Sequence, residues 1–239
     1  GTGGMLDTFT GPTAPTSANR LPGGTFPIVA YSDAHGIHWG NEAIMLSAGT
    51  NIDWLCTDMQ LIDSPEHSHD VASQVDTSDG VVYVPALLGL GTPKWDYGAR
   101  GTLLGITRGT SRAHIVRAVL EGIAHRGADM VDASQADSGL TIDSIRNDGG
   151  MSKNPTFLQA LANATQRTVE VSPVTEATTL GAAFLAGVAV GTWKTLPDAV
   201  STWKPAQQVV PSAVLNREQW ASALSRAGGW IPELSGLDF

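Results

Sequence analysis

Short apolar runs bounded by turn-forming residues fill the first third of the chain, and this pattern predicts β-strands. Three such runs span residues 3–10, 26–31 and 37–42. A loop rich in proline, serine, asparagine and glycine separates the first run from the second. Turn residues at 32–36 join the other two runs, so the sequence predicts a hairpin there.

Apolar residues recur at helical spacing further along the chain. The clearest helix follows Ser111, a favourable N-cap, because Ile115, Val119 and Ile123 recur every four residues. Asn154-Pro155 marks another helix start, since proline is favoured at the first position after the cap. The remaining predicted helices span residues 48–60, 179–190 and 216–229.

Strands alternate with helices from residue 142 onward. Strands are predicted at 142–146 and 168–171, on either side of the helix that begins at Pro155, and a short one at 81–84. A glycine-rich stretch at 88–109 predicts sharp turns rather than a flexible linker, because apolar and aromatic residues are interleaved. The pattern by itself predicts a mixed α/β domain.

Composition narrows the class of partner. The 239 residues are 42% hydrophobic and 15% charged, which is typical of a globular protein. A formal charge of −9 argues against duplex nucleic acid or an anionic membrane as the main partner. The longest apolar run is too short to cross a membrane. The single cysteine, Cys56, cannot form an internal disulfide, so we expect a cytoplasmic protein.

Glycines at two chain reversals are candidate ligand-binding turns. Gly1-Thr2-Gly3 precedes the first strand, and Asp148-Gly149-Gly150 follows a later one, ahead of Asn154. Glycine lets the backbone approach a phosphate or a flat base, and open α/β sheets bind ligands where a strand gives way to a helix. An ordinary hairpin turn also explains the first motif, and a tight loop the second. No dinucleotide fingerprint or P-loop spacing occurs, which argues against a nicotinamide dehydrogenase.

Two further segments have structural explanations. Residues 176–183 are small enough for close helix packing, either inside the core or against a partner domain. His67 and His69 stand two apart in a stretch that resembles a loop, but the sequence offers no third and fourth ligand nearby. We therefore expect a surface position for both and predict no metal site from protein ligands alone.

Taken together, several segments resemble the FGGY family of carbohydrate kinases, in order and over nearly the whole chain. Residues 101–109, 114–115 and 118–124 resemble its second signature, and Trp95-Asp96 with residues 99–101 resemble the segment before it. The segments at 148–154, 176–183 and 187–193 resemble its adenosine and connecting motifs. Within the family, the Asp-Gly-Gly form and the glycine–tryptophan ending are most similar to glycerol kinases.

The resemblance implies a fold and a domain. It implies a ribonuclease-H-like (actin-like ATPase) α/β domain, with a mixed sheet and flanking helices. Residues 1–239 would form the C-terminal nucleotide-binding domain, without the N-terminal domain that carries most of the substrate pocket and the aspartate general base. No catalytic residue is therefore assigned here, and Trp95, Asp96 and Arg100 are expected to have structural or interdomain roles.

The resemblance also implies a site for ATP and Mg²⁺. The nucleotide-binding residues carried over from the family motifs are Thr2, Gly3, Gly49, Asp53, Gly150 and Asn154. Met5 is carried over as a contact of the substrate carbon chain. Two of these positions depart from the glycerol kinase pattern, which usually has glutamine at position 53 and phenylalanine at position 5. The nucleotide hypothesis requires both glycine turns to lie on a shared wall.

For the intact protein, the resemblance implies transfer of the γ-phosphoryl group of ATP to a polyol or sugar, most similar to glycerol phosphorylation. We expect this chain alone to be inactive and to bind ATP weakly. The expected partners are the small-molecule polyol or sugar, the missing N-terminal domain and a possible second copy. A pentose (xylulose-type) kinase and a non-enzymatic actin-like nucleotide-binding module are the alternatives.

Overall fold

A computed structural model describes residues 3–237, and its first strands are those that the apolar runs predict. The strands are β1 (Gly4–Gly11), β2 (Phe26–Asp33) and β3 (Gly36–Met45). They form an antiparallel sheet in the order β1–β3–β2. The predicted hairpin is confirmed, because β2 and β3 pair directly up to Asp33 and Gly36.

Two short helices and a small sheet follow. The helices are α1 (Thr50–Thr57) and α2 (His67–Ala72). The strands β4 (Val82–Val84) and β5 (Thr102–Leu104) pair antiparallel. The sequence predicted α1 at 48–60 and β4 correctly in type, but it missed α2 and the strand within the glycine-rich stretch.

The longest element is α3 (Arg112–Ser138), as the spacing predicts. Ser111 N–H donates to His114 Nδ1 at 3.1 Å, and the left-handed Gly139 ends the helix. More than half of its 27 residues are buried. It packs against the first sheet, β4, α2 and the next long helix, so it is the centre of the fold.

A mixed sheet follows α3. The strands β6 (Ser144–Asn147) and β7 (Thr168–Val171) are parallel, and β8 (Gln207–Val209) pairs antiparallel with β7. A 3₁₀ turn (Gly150–Lys153) and α4 (Pro155–Thr165) connect the parallel pair. The described strands thus form three sheets, of which the last is mixed, as the resemblance implies.

Four further helices lie within residues 3–237. They are α5 (Ala177–Ala189), α6 (Leu196–Val200), α7 (Arg217–Ala227) and α8 (Pro232–Ser235). Among them α5 and α7 were predicted, with ends shifted by one or two residues. Within residues 3–237, no helix combines the length and the apolar character needed to cross a membrane.

The apolar core has two parts. The main cluster joins α1, α3, α4 and the strands, and a smaller one packs α7 against the segment after β4. Arg217 and Trp220 of α7 also bind α3, where both donate to the Asp129 carboxylate. Arg126 donates to the same carboxylate at 2.8 Å. A buried polar network therefore fastens α7 to α3.

The tryptophan and aspartate of the glycine-rich stretch make structural contacts. Trp95 Nε1 donates to the Gly24 carbonyl at 2.7 Å. Asp96 accepts from the backbone of Gly229 and from the Ser235 hydroxyl, besides two N–H groups of its own turn. Partial burial opposes its ionisation, but these four donors outweigh the burial and lower its pKa. Asp96 is thus a structural anchor for the C-terminal segment.

Candidate functional site

The start of α1 is a rigid turn built around a buried amide. Asn51 is fully buried, and its Nδ2 donates to the carbonyls of Ser47 and Ala48 at 2.9 Å each. The Tyr83 hydroxyl donates to Asn51 Oδ1 at 2.8 Å. Gly49 is the N-cap residue of α1, and its carbonyl accepts from the N–H groups of the first turn. The backbone that leads to the predicted Gly49 is therefore held by hydrogen bonds from the buried Asn51.

The first glycine turn lies against this helix start. Thr2 is outside the described residues, but Gly3 and Gly4 are within them. A Cβ on Gly3 would lie 2.9 Å from the Met45 carbonyl oxygen, and one on Gly4 would lie 3.2 Å from the Ala48 side chain. Side chains at these two positions would thus collide with or crowd the segment before α1. The predicted Gly3 therefore packs against the segment that leads to Gly49.

Asp53 follows on the same helix. It is exposed, while its neighbours Ile52 and Leu55 are in the core. Asp53 therefore places a carboxylate at an open position four residues beyond Gly49.

The second glycine turn joins β6 to the 3₁₀ turn. Gly149 has φ of 79°, a left-handed conformation that favours glycine. Its N–H donates to Thr175, and its carbonyl accepts from Ser152. Gly150 is exposed, and nothing lies within 4 Å of the place where a Cβ would stand. Open space therefore lies beside the backbone of the predicted Gly150.

Asn154 ends this turn and begins α4. Its Oδ1 accepts from the Phe157 N–H at 3.0 Å, which caps the helix as the sequence predicts. Its Nδ2 donates to the Ser68 hydroxyl at 2.8 Å. His69 Nδ1 lies 2.8 Å from the hydroxyl of Thr156, which stands two residues after Asn154 in the first turn of α4. The turn at 149–154 is therefore tied to α2.

The predicted nucleotide residues lie in two regions of the fold, and α2 contacts the second of them. Gly3 and Gly49 lie together at the start of α1, and Gly150 and Asn154 lie together at the start of α4. Apolar residues of α1 and α2 share the main core, and α2 contacts Asn154. The contact with Asn154 comes from a helix that sequence reasoning missed.

No sequence pattern marked α2. It has six residues, too few to show helical periodicity, and its stretch resembles a loop. The prediction for His67 and His69 is corrected accordingly. Both lie on this helix, and His69 is engaged with Thr156 rather than solvated as a loop residue. The contacts of Ser68 depend on the fold, so no local sequence pattern indicates them.

Met5 lies on the outer face of β1, opposite Ile44 of β3, and is 60% exposed. The next pair on that face is Asp7 with Glu42. Burial raises the pKa of both carboxyls, and Asp7 raises that of Glu42 further by charge repulsion. An uncovered face with an apolar residue beside two hydrogen-bonding carboxyls suits a molecule with both carbon and hydroxyl groups.

Comparison with known proteins bears on this site. A model of the C-terminal domain of the FGGY family of carbohydrate kinases matches residues 1–190. A glycerol kinase from Rhodopirellula baltica is 38% identical over 247 residues, an alignment that covers all of this chain and 44% of that protein.

Solved structures show the same relationship. The crystal structure of Plasmodium falciparum glycerol kinase with ADP has a TM-score of 0.81 and 31% identity, and the match covers all of this chain and 46% of the other. A ligand-bound xylulose kinase from Lactobacillus acidophilus has a TM-score of 0.71 and 25% identity, with 94% and 44% covered. The ribonuclease-H-like fold is confirmed, and this chain spans less than half the length of these relatives.

Proposed function

The chain belongs to the FGGY family of carbohydrate kinases, and from that premise we propose that it is the ATP-binding C-terminal half of a polyol kinase of the glycerol kinase type. The intact protein would transfer the γ-phosphoryl group of ATP to a hydroxyl group. It would work in the cytoplasm, as the single Cys56 predicts.

The observation that carries this proposal is the approach of the first glycine turn to α1. Gly3 and Gly4 are closely packed against the segment before Gly49, an approach that side chains at these positions would crowd, and we infer that this turn and the start of α1 together bind the phosphates. Gly150 offers a second stretch of bare backbone with open space beside it. The residues present therefore fit a nucleoside triphosphate.

Each predicted residue then has a role. Thr2, Gly3 and Gly49 would hold the phosphates, and Gly150 and Asn154 would hold the adenosine. Mg²⁺ would accompany the triphosphate and neutralise its charge. Asp53 supplies an exposed carboxylate on the α1 side, which suits a metal-bound water better than a bare phosphate.

Substrate preference would be decided on the outer face of β1. Met5 would contact the carbon chain of the substrate, and its flexible thioether shapes a pocket less strictly than an aromatic ring does. Asp7 and Glu42 are close enough to Met5 along the strands to accept hydrogen bonds from hydroxyl groups. We infer that glycerol is preferred, with a pentose such as xylulose as the competing substrate.

Catalysis would require the preceding half of the protein, and α5 is the surface that fits it. None of the 13 residues of α5, all of them described, is buried, although the helix carries no charge. Leu185 is 38% exposed on it. Beside α5 lies a cleft of about 220 Å³ that Leu180, Phe184 and Trp203 help to line. An apolar helix of this kind is stable in water when another domain covers it.

Nucleotide binding tests the first part of the proposal. Isothermal titration of this chain with MgADP should show weak binding. Gly150→Val should lower the affinity about tenfold or more, or about 1.4 kcal/mol, because it fills the open space. Gly181→Val is the matched control, since this glycine of α5 also has nothing within 4 Å of its Cβ position. Equal affinities for all three proteins would contradict the site.

Activity tests the second part. The purified chain should produce no ADP when glycerol is added, whereas the intact protein should do so, with a higher kcat/KM for glycerol than for xylulose. Glycerol-dependent ADP production by this chain alone would overturn the assignment of catalysis to the other half. A higher kcat/KM for xylulose would favour the pentose kinase alternative.

Docking of the two halves tests the role of α5. Leu185→Glu should weaken binding of the separately produced preceding half, because it places a charge in an apolar interface. Val214→Glu is the control, since Val214 is 74% exposed in a segment away from α5. Equal loss of binding in both variants, at unchanged melting temperature, would exclude α5 as the docking surface.

A further inference from the structure

Ser68 of α2 holds the carboxamide of Asn154 in one orientation. Ser68 is 1% exposed, and its hydroxyl donates its single proton to the Pro65 carbonyl at 2.5 Å. The hydroxyl oxygen is then left as an acceptor, so the group facing it at 2.8 Å must be the Nδ2 donor of Asn154. Because the Ser68 proton is used in the hydrogen bond to the Pro65 carbonyl, Asn154 must be the donor in the hydrogen bond between Asn154 and Ser68.

The other end of the amide is fixed as well. Asn154 Oδ1 accepts from the Phe157 N–H at 3.0 Å, as the cap of α4. A flipped amide would face the Phe157 donor with another donor, which costs a hydrogen bond at each end. One hydrogen of Nδ2 is used by Ser68, so the second is the donor of this side chain that is left for a ligand.

The support behind Ser68 is rigid. Val71 and Ala72 of α2 are completely buried in the main core. His69 ties the same helix to Thr156, in the first turn of α4. A short helix anchored in the core thus makes two separate hydrogen bonds to the start of α4, of which one reaches the predicted adenosine residue Asn154 and the other reaches Thr156.

We propose that Ser68 is a positioning residue for the nucleotide. By holding the amide of Asn154, it directs one fixed N–H donor of that residue at an acceptor on the purine ring. This inference rests on the proposed function. It assigns to α2 a part in nucleotide binding that goes beyond the residues carried over from the family motifs. Preorganisation by such a supporting hydrogen bond improves binding because the donor needs no reordering when the ligand arrives.

The test compares Ser68→Ala with Thr156→Ala in the intact kinase. Both remove one hydrogen bond between α2 and the start of α4, but only the first releases Asn154. Ser68→Ala should raise KM for ATP about five- to tenfold, the effect of one hydrogen bond, and leave kcat and KM for the polyol unchanged. Thr156→Ala should leave all three constants near wild type.

A third variant and a binding measurement keep the test decisive. Ser68→Thr retains the hydroxyl and should recover most of the ATP affinity if it folds. Where a variant is too unstable to assay, MgADP titration of this chain at low temperature replaces the kinetics. Equal KM for ATP in Ser68→Ala and wild type, or equal increases in Ser68→Ala and Thr156→Ala, would overturn the role of Ser68. A wild-type protein that binds no nucleotide would instead overturn the proposed function.

Discussion

The helices α3 and α5 differ in a way that their compositions do not suggest. Helix α3 carries the buried residues His125 and Arg126, and its Asp129 binds Arg126. More than half of the residues of α3 are buried. Helix α5 has no charged residue, and none of its described residues is buried. The more polar helix is at the centre of the molecule, and the apolar one is on its surface.

Two different kinds of surface explain this contrast. The charged groups of α3 are acceptable in the interior because each finds a partner there, as Asp129 does with Arg126 and Arg217. Within residues 3–237 the apolar surface of α5 is covered only in part, by α6 and by Trp193 against Phe184, which fits the proposal that another half of the protein covers the rest. The burial of these two helices therefore follows the available partners rather than hydropathy.

The largest effect is expected from Asp129→Ala. The change leaves the guanidinium of Arg126, which is 1% exposed, and the Trp220 N–H without their shared acceptor. Breaking one partner of a buried ion pair costs about 3–5 kcal/mol of unfolding free energy. Urea denaturation at pH 7.5 measures it.

The control for that change is Asp132→Ala on the same helix. The Asp132 side chain is 71% exposed and lies 3.8 Å from Arg217, so the loss should stay below about 1 kcal/mol. Similar losses from the two variants would mean that the network around Asp129 does not fasten α3 to α7.

His125 gives the second prediction, through pH. Burial, with the Arg217 charge beside it, lowers the pKa of His125 to about 4 despite Asp129. The unfolded chain then binds a proton near pH 6.5 while the folded chain does not, so stability is lost as pH falls from about 6.5 to about 4. The shift corresponds to about 3 kcal/mol at most.

Unfolding free energies of wild type and His125→Gln between pH 4 and pH 7.5 measure this loss. Glutamine does not titrate, so the variant should show a flatter dependence across that window. The Asp96 carboxyl, whose pKa is lowered, loses its contribution to stability mainly at lower pH than His125 does, and it does so in both proteins alike. Parallel curves for the two proteins would show that His125 is not the group that titrates.

Gly122→Ala is expected to have the third largest effect. A Cβ at Gly122 would overlap the Tyr83 backbone carbonyl, which cannot rotate away. The overpacking costs about 1–3 kcal/mol. Gly127→Ala on the same helix is the control, because its Cβ would meet only the end of the Leu161 side chain, which can rotate. A smaller loss at Gly122 than at Gly127 would contradict the close approach of α3 to β4.

The order and type of the long elements could be predicted from the sequence because they depend on local spacing. The four-residue recurrence of Ile115, Val119 and Ile123 and the cap at Ser111 are local signals, and α3 follows them. The short elements α2 and β5 depend on contacts made by distant parts of the chain, so local patterns missed them. The division into three sheets is likewise a matter of distant pairing.

The candidate site was predictable only in part for the same reason. Gly3, Gly49, Gly150 and Asn154 stand in segments that resemble known motifs, and the structure brings them together in two pairs. The support of Asn154 by Ser68 joins residues 86 positions apart, and no local pattern contains it. Sequence reasoning also gave α5 two possible environments, core or partner domain, and only the fold shows that it is exposed within this chain.

The smallest effect, and the sharpest test of the contrast between α3 and α5, comes from Gly181→Ala. Nothing lies within 4 Å of a Cβ at this position, so alanine meets no neighbour and raises helix propensity by about 1 kcal/mol at most. This chain should therefore melt slightly higher with the change. In the intact protein, the added methyl group would enter the proposed interface, so the gain should disappear or become a loss. An equal gain in both proteins would mean that α5 stays uncovered in the whole molecule, and the explanation of its apolar surface would then have to be sought outside the other half.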